Sequence, residues 1–297
     1  MESTERQDAW ERLVSPKDVL EEMGLLAGDD ESQGDIRKSE PYWSVKTHYP
    51  SIDELFKGFK SGNLVGIGGK HAVGKSALAL NLALSMAKHG TKVCLFSFEM
   101  PSEEVALRLL ARMSTIEISD LQSRDLTDIQ TKIVRLVGDQ LDSLPLEIYD
   151  SASMTVDTIR DAARNSLHGC DEGILIIDCL QLIQPSRDCE CYEDNDAKLE
   201  SVVIALKRLA MEFRVPIIVV DQLDQTDDIG DAYPLSEHAD IVMFLDHANE
   251  VEGEGLKIWF SDKHWLPMDL YIAKFRQGPE GGRLKLRFAP RLMKFVG

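Results

Sequence analysis

The sequence predicts an α/β domain: a mostly parallel sheet flanked by helices, closed at its carboxyl end by antiparallel strands. Three observations predict it. Short continuous apolar runs alternate with helical patterns along most of the chain, the pattern of strands buried on both faces. A glycine-rich loop joins one of these runs to a helix start. From residue 270 onward no helical pattern remains, and apolar runs are separated by Gly-Pro and Gly-Gly turns near Gly278 and Gly281.

In chain order, Ser15-Pro16-Lys17-Asp18 starts a helix, with a capping serine, proline at the first helical position and an acid close behind. Val19, Leu20, Met23 and Leu26 form its apolar side. The polar, turn-rich residues 28–35 then read as a linker. Residues 1–44 are therefore expected to be an acidic helix and linker, and residues 45–297 the compact domain. Within it, strands are expected at 64–67, 93–98, 146–149, 174–177, 216–220 and 241–245, with helices near 76–89, 102–113, 155–168 and 196–213. Antiparallel strands are expected at 270–273, 283–288 and 292–296.

Composition narrows the function. At 297 residues and 43% hydrophobic content the chain can bury a large core, which excludes a disordered tail. No apolar run approaches the roughly 20 residues that span a bilayer, so no membrane partner is expected. Five cysteines, an odd number in a large chain, suit a reduced cytoplasm, and Cys189 and Cys191 lack the spacing of a zinc site. The net charge of -18 sits in two places. Residues 1–44 hold 12 acidic and 5 basic side chains, and residues 215–256 hold 11 acidic residues and no Lys or Arg. A basic nucleic-acid coat is thereby excluded.

Gly69-Lys70-His71-Ala72-Val73-Gly74-Lys75-Ser76 fits the pattern GxxxxGK[ST] between an apolar strand and a helix. The glycines let backbone N–H groups close around phosphate oxygens, the helix amino end adds positive potential, and Lys75 reaches the terminal phosphates. Ser76 is a magnesium ligand in this pattern, so a nucleoside triphosphate with Mg2+ is the expected cargo. An acid ending another buried strand should complete the metal side, and Asp178 does so after Ile174-Leu175-Ile176-Ile177. Glu99 follows the strand at 93–98. Strand ends converge at the carboxyl edge of a parallel sheet, which places Glu99 to orient and deprotonate an attacking water.

The order of these segments resembles the carboxy-terminal motor domain of the DnaB-type replicative helicases, a branch of the RecA-like ATPases. The resemblance covers roughly residues 45–297. It rests on Gly62-Asn63-Leu64 before the phosphate loop, on Phe96-Ser97-Phe98-Glu99-Met100-Pro101-Ser102-Glu103, and on Ile176-Ile177-Asp178-Cys179-Leu180-Gln181-Leu182. It continues through Asp221-Gln222-Leu223 and Lys274-Phe275-Arg276-Gln277-Gly278-Pro279. It implies a RecA-like core that hydrolyses ATP, with Glu99 as catalytic base and Gln222 as sensor of the γ-phosphate. It also implies that Lys274 and Arg276 reach the nucleotide of a neighbouring protomer, and hence a homo-oligomeric ring, a hexamer by resemblance.

By that resemblance the chain is a ring-forming helicase or translocase on single-stranded DNA in replication or repair, acting with a replication-protein partner. Departures leave an alternative open. Forty-four residues before the motor are too few for the helical domain that recruits primase. Cys179 stands where the family has tyrosine, and Asp224-Gln225 replaces its Asn-Arg. The two expected channel loops, 187–194 and 231–238, are acidic and should repel a phosphate backbone. Lys257, Lys263, Arg283 and Arg287 remain as cations for DNA, and Trp259, His264 and Trp265 as a stacking cluster. The alternative is a regulatory ATPase of the same family, with weak DNA grip, that controls assembly with a protein partner.

Overall fold

Runs that are apolar at every position cannot lie on a sheet with one wet face, and these runs become the sheet's interior. The computed structural model describes residues 44–151, 154–170, 172–186, 195–222, 234–248 and 265–297. Ser44–Gly297 forms one compact unit. The expected leader helix and linker lie outside the described residues.

The chain begins with strand β1 (Ser44–Val45), helix α1 (Pro50–Phe56) and strand β2 (Phe59–Lys60), which pairs antiparallel with β1. Strand β3 (Leu64–Gly68) leads through the phosphate loop into α2 (Lys75–Lys88). Then come β4 (Lys92–Ser97), α3 (Ser102–Ser114), α4 (Ile118–Ser123), α5 (Asp128–Asp142), β5 (Leu146–Asp150), β6 (Met154–Thr155) and α6 (Val156–Leu167). Strand β7 (Gly173–Asp178), a short 3-10 turn (Leu180–Leu182), β8 (Ile183–Gln184), α7 (Asn195–Phe213) and β9 (Ile217–Val220) follow. The chain ends with α8 (Pro234–His238), β10 (Ile241–His247), β11 (Leu266–Phe275), β12 (Arg283–Ala289), a 3-10 turn (Pro290–Leu292) and β13 (Lys294–Val296).

Among the described residues, nine strands form one sheet in the order β13-β12-β11-β10-β3-β9-β7-β4-β5. From β10 to β5 every pairing is parallel, and from β10 to β13 every pairing is antiparallel. The expected fold class is therefore observed, with strand boundaries shifted by a few residues. Every residue of β3, β7 and β9 is buried, so both faces of the sheet centre are covered. Each buried Val, Ile or Leu there contributes roughly 1.5–3 kcal/mol.

Between residues 114 and 146, where the sequence reading gives no element, lie α4 and α5. Thr127 caps α5: its hydroxyl accepts from Gln130 N at 3.2 Å, and Gln130 Oε1 accepts from Thr127 N at 2.9 Å. That reciprocal box is written in Thr127-Asp128-Ile129-Gln130. Ile129 and Leu136 of this helix are 71% and 60% exposed, which weakens the apolar face that would announce it.

Candidate active site

Parallel topology sends the carboxyl ends of β3, β4, β7 and β9 to one edge, and the phosphate loop, Glu99, Asp178 and Gln222 follow or end those strands. The loop after β3 depends on backbone states that side chains resist. Gly69 has φ +151°, and a Cβ there would lie 2.5 Å from the Leu245 carbonyl oxygen; Gly74 has φ +106° at the entry to α2. The loop thus turns in the space beside β10. His71, Ala72, Gly74, Lys75 and Ser76 line a cavity at the amino end of α2, and Val73 is buried.

Lys75 is buried, and its ammonium donates to the carbonyls of Gly69 and Lys70, both at 2.8 Å. Burial lowers its pKa, while Asp178, Asp221 and Glu99 act in the opposite direction. The ammonium therefore spans the loop, held by carbonyls that a phosphate oxygen can replace. The cavity in front of it measures about 350 Å3 and is lined by His71, Lys75, Ser76, Glu99, Asp178 and Gln222 among others. With Ala72 and Gly74, eight of the predicted positions thus meet in one space of the size small ligands occupy.

Asp178 ends β7 at 3% exposure. Both of its carboxylate oxygens are buried and no donor meets them in good hydrogen-bond geometry, although the Ser76 hydroxyl lies close enough to act on the carboxylate. Burial pushes its pKa from 3.8 up to about 6, with Ser76, Lys75 and Arg108 drawing it down and Glu99 raising it. An orphaned hard oxygen pair beside a serine hydroxyl fits a magnesium ion, which takes carboxylate and hydroxyl oxygens. The residues present therefore fit Mg2+.

The raised pKa has a stability consequence. The folded state holds the Asp178 proton more tightly than the unfolded chain does. Its contribution is therefore fully present below about pH 4 and is lost as pH rises through about 6. Asp178→Asn is expected to make the metal-free protein more stable than wild type at pH 7 by about 3 kcal/mol, while the two converge near pH 4. Paired thermal melts across that range check it.

Glu99 faces the same cavity. Its Oε1 accepts a hydrogen bond from the Cys179 thiol at 3.2 Å, and burial pushes that thiol's pKa strongly up. Gln222 follows β9 and its amide meets Nδ1 of His71 in the phosphate loop at 2.8 Å. The Gln181 amide donates to the Asp221 carboxylate and, at 2.9 Å, to the Gln222 carbonyl. Gln222 is thus tied both to the loop and to the turn after β7.

Lys274 and Arg276 do not join this cavity. In the β10/β11 ladder Phe275 lies opposite Ile241, which pairs with Val65. Arg276 is therefore at the amino edge of the parallel strands, while the phosphate loop leaves the carboxyl edge. From Leu64 to Gly68 alone, four steps along β3 span about 13 Å. The Lys274 ammonium donates to the carbonyls of Ser236 and Glu237 at 2.7 and 2.9 Å, and Arg276 pairs with Asp240 at 3.2 Å.

Three groups escape sequence reasoning. Arg108 of α3 lines the cavity, with Nη2 2.6 Å from Glu104 and a buried Nε that has no hydrogen-bond partner. Its i,i+4 spacing from Glu104 reads in sequence as an ordinary surface pair. Phe288, Pro290 and Met293 bring an apolar wall from the carboxyl end, which no motif announces. Asn81 fixes that wall: its amide donates to Met293 O at 2.7 Å, and its oxygen accepts from Phe295 N at 3.0 Å. A lone asparagine inside the apolar run of α2 is the one available signal.

The candidate DNA contacts fare differently. Arg283 pairs with Asp269 at 3.6 Å, and Trp265 lies beneath the cations of Arg287 and Lys294, 5.7 and 6.0 Å from its ring centre. Trp265 is thus occupied within its own chain. Lys257, Lys263, Trp259, His264, Cys189 and Cys191, the loop 187–194 and the first part of 231–238 lie outside the described residues. Among the described residues no helix is long and apolar enough to cross a membrane.

The family profile described as the DnaB-like helicase C terminal domain matches residues 44–297. The "Replicative DNA helicase DnaB" of Helicobacter pylori strain J99 is 30% identical over 241 residues, covering 77% of this chain and 48% of the relative. The "Replicative DNA helicase DnaC" of Bacillus subtilis is 29% identical over 304 residues, covering 98% of this chain and 62% of the relative. The chain thus spans about half the length of the curated relatives it matches. Among solved structures, one described as an ATPase domain superposes with a TM-score of 0.74 at 25% identity, covering 85% of this chain and 90% of that one. A structure described as a DnaB-like replicative helicase and its interactions with primase gives 0.73 at 25% identity, covering 85% and 63%.

Proposed function

The chain belongs to the DnaB-like helicase C-terminal domain family, and from that premise we propose that it is the ATP-hydrolysing motor of a homo-oligomeric ring, a hexamer by family resemblance, that moves along single-stranded DNA. The observation that carries the proposal is the division of the site between two edges of one sheet. The phosphate loop, Glu99, Asp178 and Gln222 share a cavity at the carboxyl edge, whereas Lys274 and Arg276 lie at the amino edge. A cation pair so placed serves a nucleotide held by a neighbour.

In this scheme the loop from Gly69 to Ser76 holds the phosphates and Lys75 exchanges its carbonyl partners for their terminal oxygens. Ser76 and Asp178 would hold the magnesium ion, which supplies charge neutralisation on the β- and γ-phosphates when bound. Glu99 orients the attacking water and takes its proton, steadied by the Cys179 thiol. Gln222 senses the γ-phosphate. Arg276, with Lys274, stabilises the charge that develops on the transferred phosphoryl group of the next protomer.

Relatives named as replicative DNA helicases favour the motor over a regulatory ATPase without DNA grip. A replication-protein partner fits the same scheme, as one similar solved structure is described with its interactions with primase. A reducing, cytoplasmic setting suits the free thiols of Cys94 and Cys179. The test is ATP turnover at low salt with and without single-stranded DNA. The motor predicts stimulation of several-fold or more, and turnover indifferent to DNA contradicts it in favour of the regulatory ATPase.

A further inference from the structure

Resting on the proposed function, we infer that Asp240 is a positioning residue for Arg276, a buried carboxylate that sets the guanidinium for the neighbouring protomer's nucleotide. Asp240 immediately precedes β10, between β3 and β11, and its backbone and side chain bind in both directions. Toward β3, its N–H donates to Leu64 O at 2.9 Å and its Oδ2 accepts from Leu64 N at 2.8 Å. Toward β11, its carbonyl accepts from Arg276 N at 2.9 Å and its Oδ1 accepts from Arg276 Nη1 at 3.2 Å. The arginine is thus fixed at its backbone and at one guanidinium nitrogen by a single residue.

A sequestering latch would look different. The Asp240 side chain is 9% exposed, yet that of Arg276 is 54% exposed and is held through one nitrogen rather than by a two-pronged fork. Lys207 of α7 already lies 2.6 Å from Oδ2 and also donates to Gly62 O at 2.8 Å. One carboxylate therefore faces two cations, so the group keeps a net positive charge and the outer nitrogens of Arg276 remain available. The carboxylate restricts where those nitrogens point without cancelling their charge. Lys274, two residues earlier, is tied to the carbonyls of Ser236 and Glu237, so the short segment 236–240 aims both cations.

Asp240→Asn keeps the shape and weakens the grip on Arg276. It is expected to lower turnover roughly ten- to hundredfold, the scale on which small misplacements act, with binding of a fluorescent ATP analogue within twofold of wild type. Two readouts separate positioning from a structural role. In an Arg276→Ala background, adding Asp240→Asn should change turnover less than twofold, because the group it positions is gone. Mixing Asp240→Asn protomers with Lys75→Ala protomers should restore hydrolysis, since the latter lend well-placed arginines to intact phosphate loops. A further full loss in the Arg276→Ala background, or no recovery on mixing, overturns the inference. If Asp240→Asn does not accumulate as folded protein, Asp240→Glu replaces it, keeping the charge beside Lys207 while moving the carboxylate by one methylene, with the same expectations. Wild-type protein that hydrolyses no ATP overturns the underlying function and the inference with it.

Discussion

Lys75→Ala should reduce ATP hydrolysis by on the order of a thousandfold, the scale at which a preorganised charge in a dry site acts. The lysine is buried and engaged only with the loop carbonyls of Gly69 and Lys70, so its removal vacates the centre of the phosphate cradle. No other described cation is so placed: Arg108 lines the same cavity but is held by Glu104 on α3. The fold should survive, because the substitution removes a charge from a buried position whose desolvation already opposes it. Steady-state turnover with matched circular dichroism checks both halves. Retained hydrolysis would move the reaction away from this loop.

Arg276→Ala should cost at least as much turnover, about a thousandfold or more by the scale of arginines supplied across an interface, yet leave nucleotide binding to the protomer's own loop intact. The two variants differ in kind. In the proposed scheme Lys75 acts on its own nucleotide and Arg276 on a neighbour's, so each variant alone should be inactive while a mixture contains interfaces with both groups. Titrating Arg276→Ala protein with Lys75→Ala protein should therefore recover hydrolysis, highest near equal amounts. No recovery at any ratio would show that the cation works within its own chain.

Much of this site was legible because its chemistry is tied to spacing. The glycines and Lys75 lie within eight residues, and Asp178 and Glu99 each end an apolar run. Parallel topology then delivers strand ends to one edge whatever the intervening length. What stayed hidden depends on contacts between distant residues. The pairing of Arg276 with Asp240 joins positions 36 apart, and Asn81 holds a segment more than 200 residues away. Neither has a periodicity that marks it. Helix α5 escaped for another reason: its start signal is complete, but its exposed Ile129 and Leu136 blur the face that separates core from solvent.

Sedimentation of wild-type protein over a range of concentrations, with ATP turnover per protomer measured in the same samples, is the most direct test of a nucleotide completed by two chains. Turnover should follow the assembled fraction and fall toward zero as the protein dissociates. Monomers that hydrolyse ATP at the rate of the assembled protein would contradict the account.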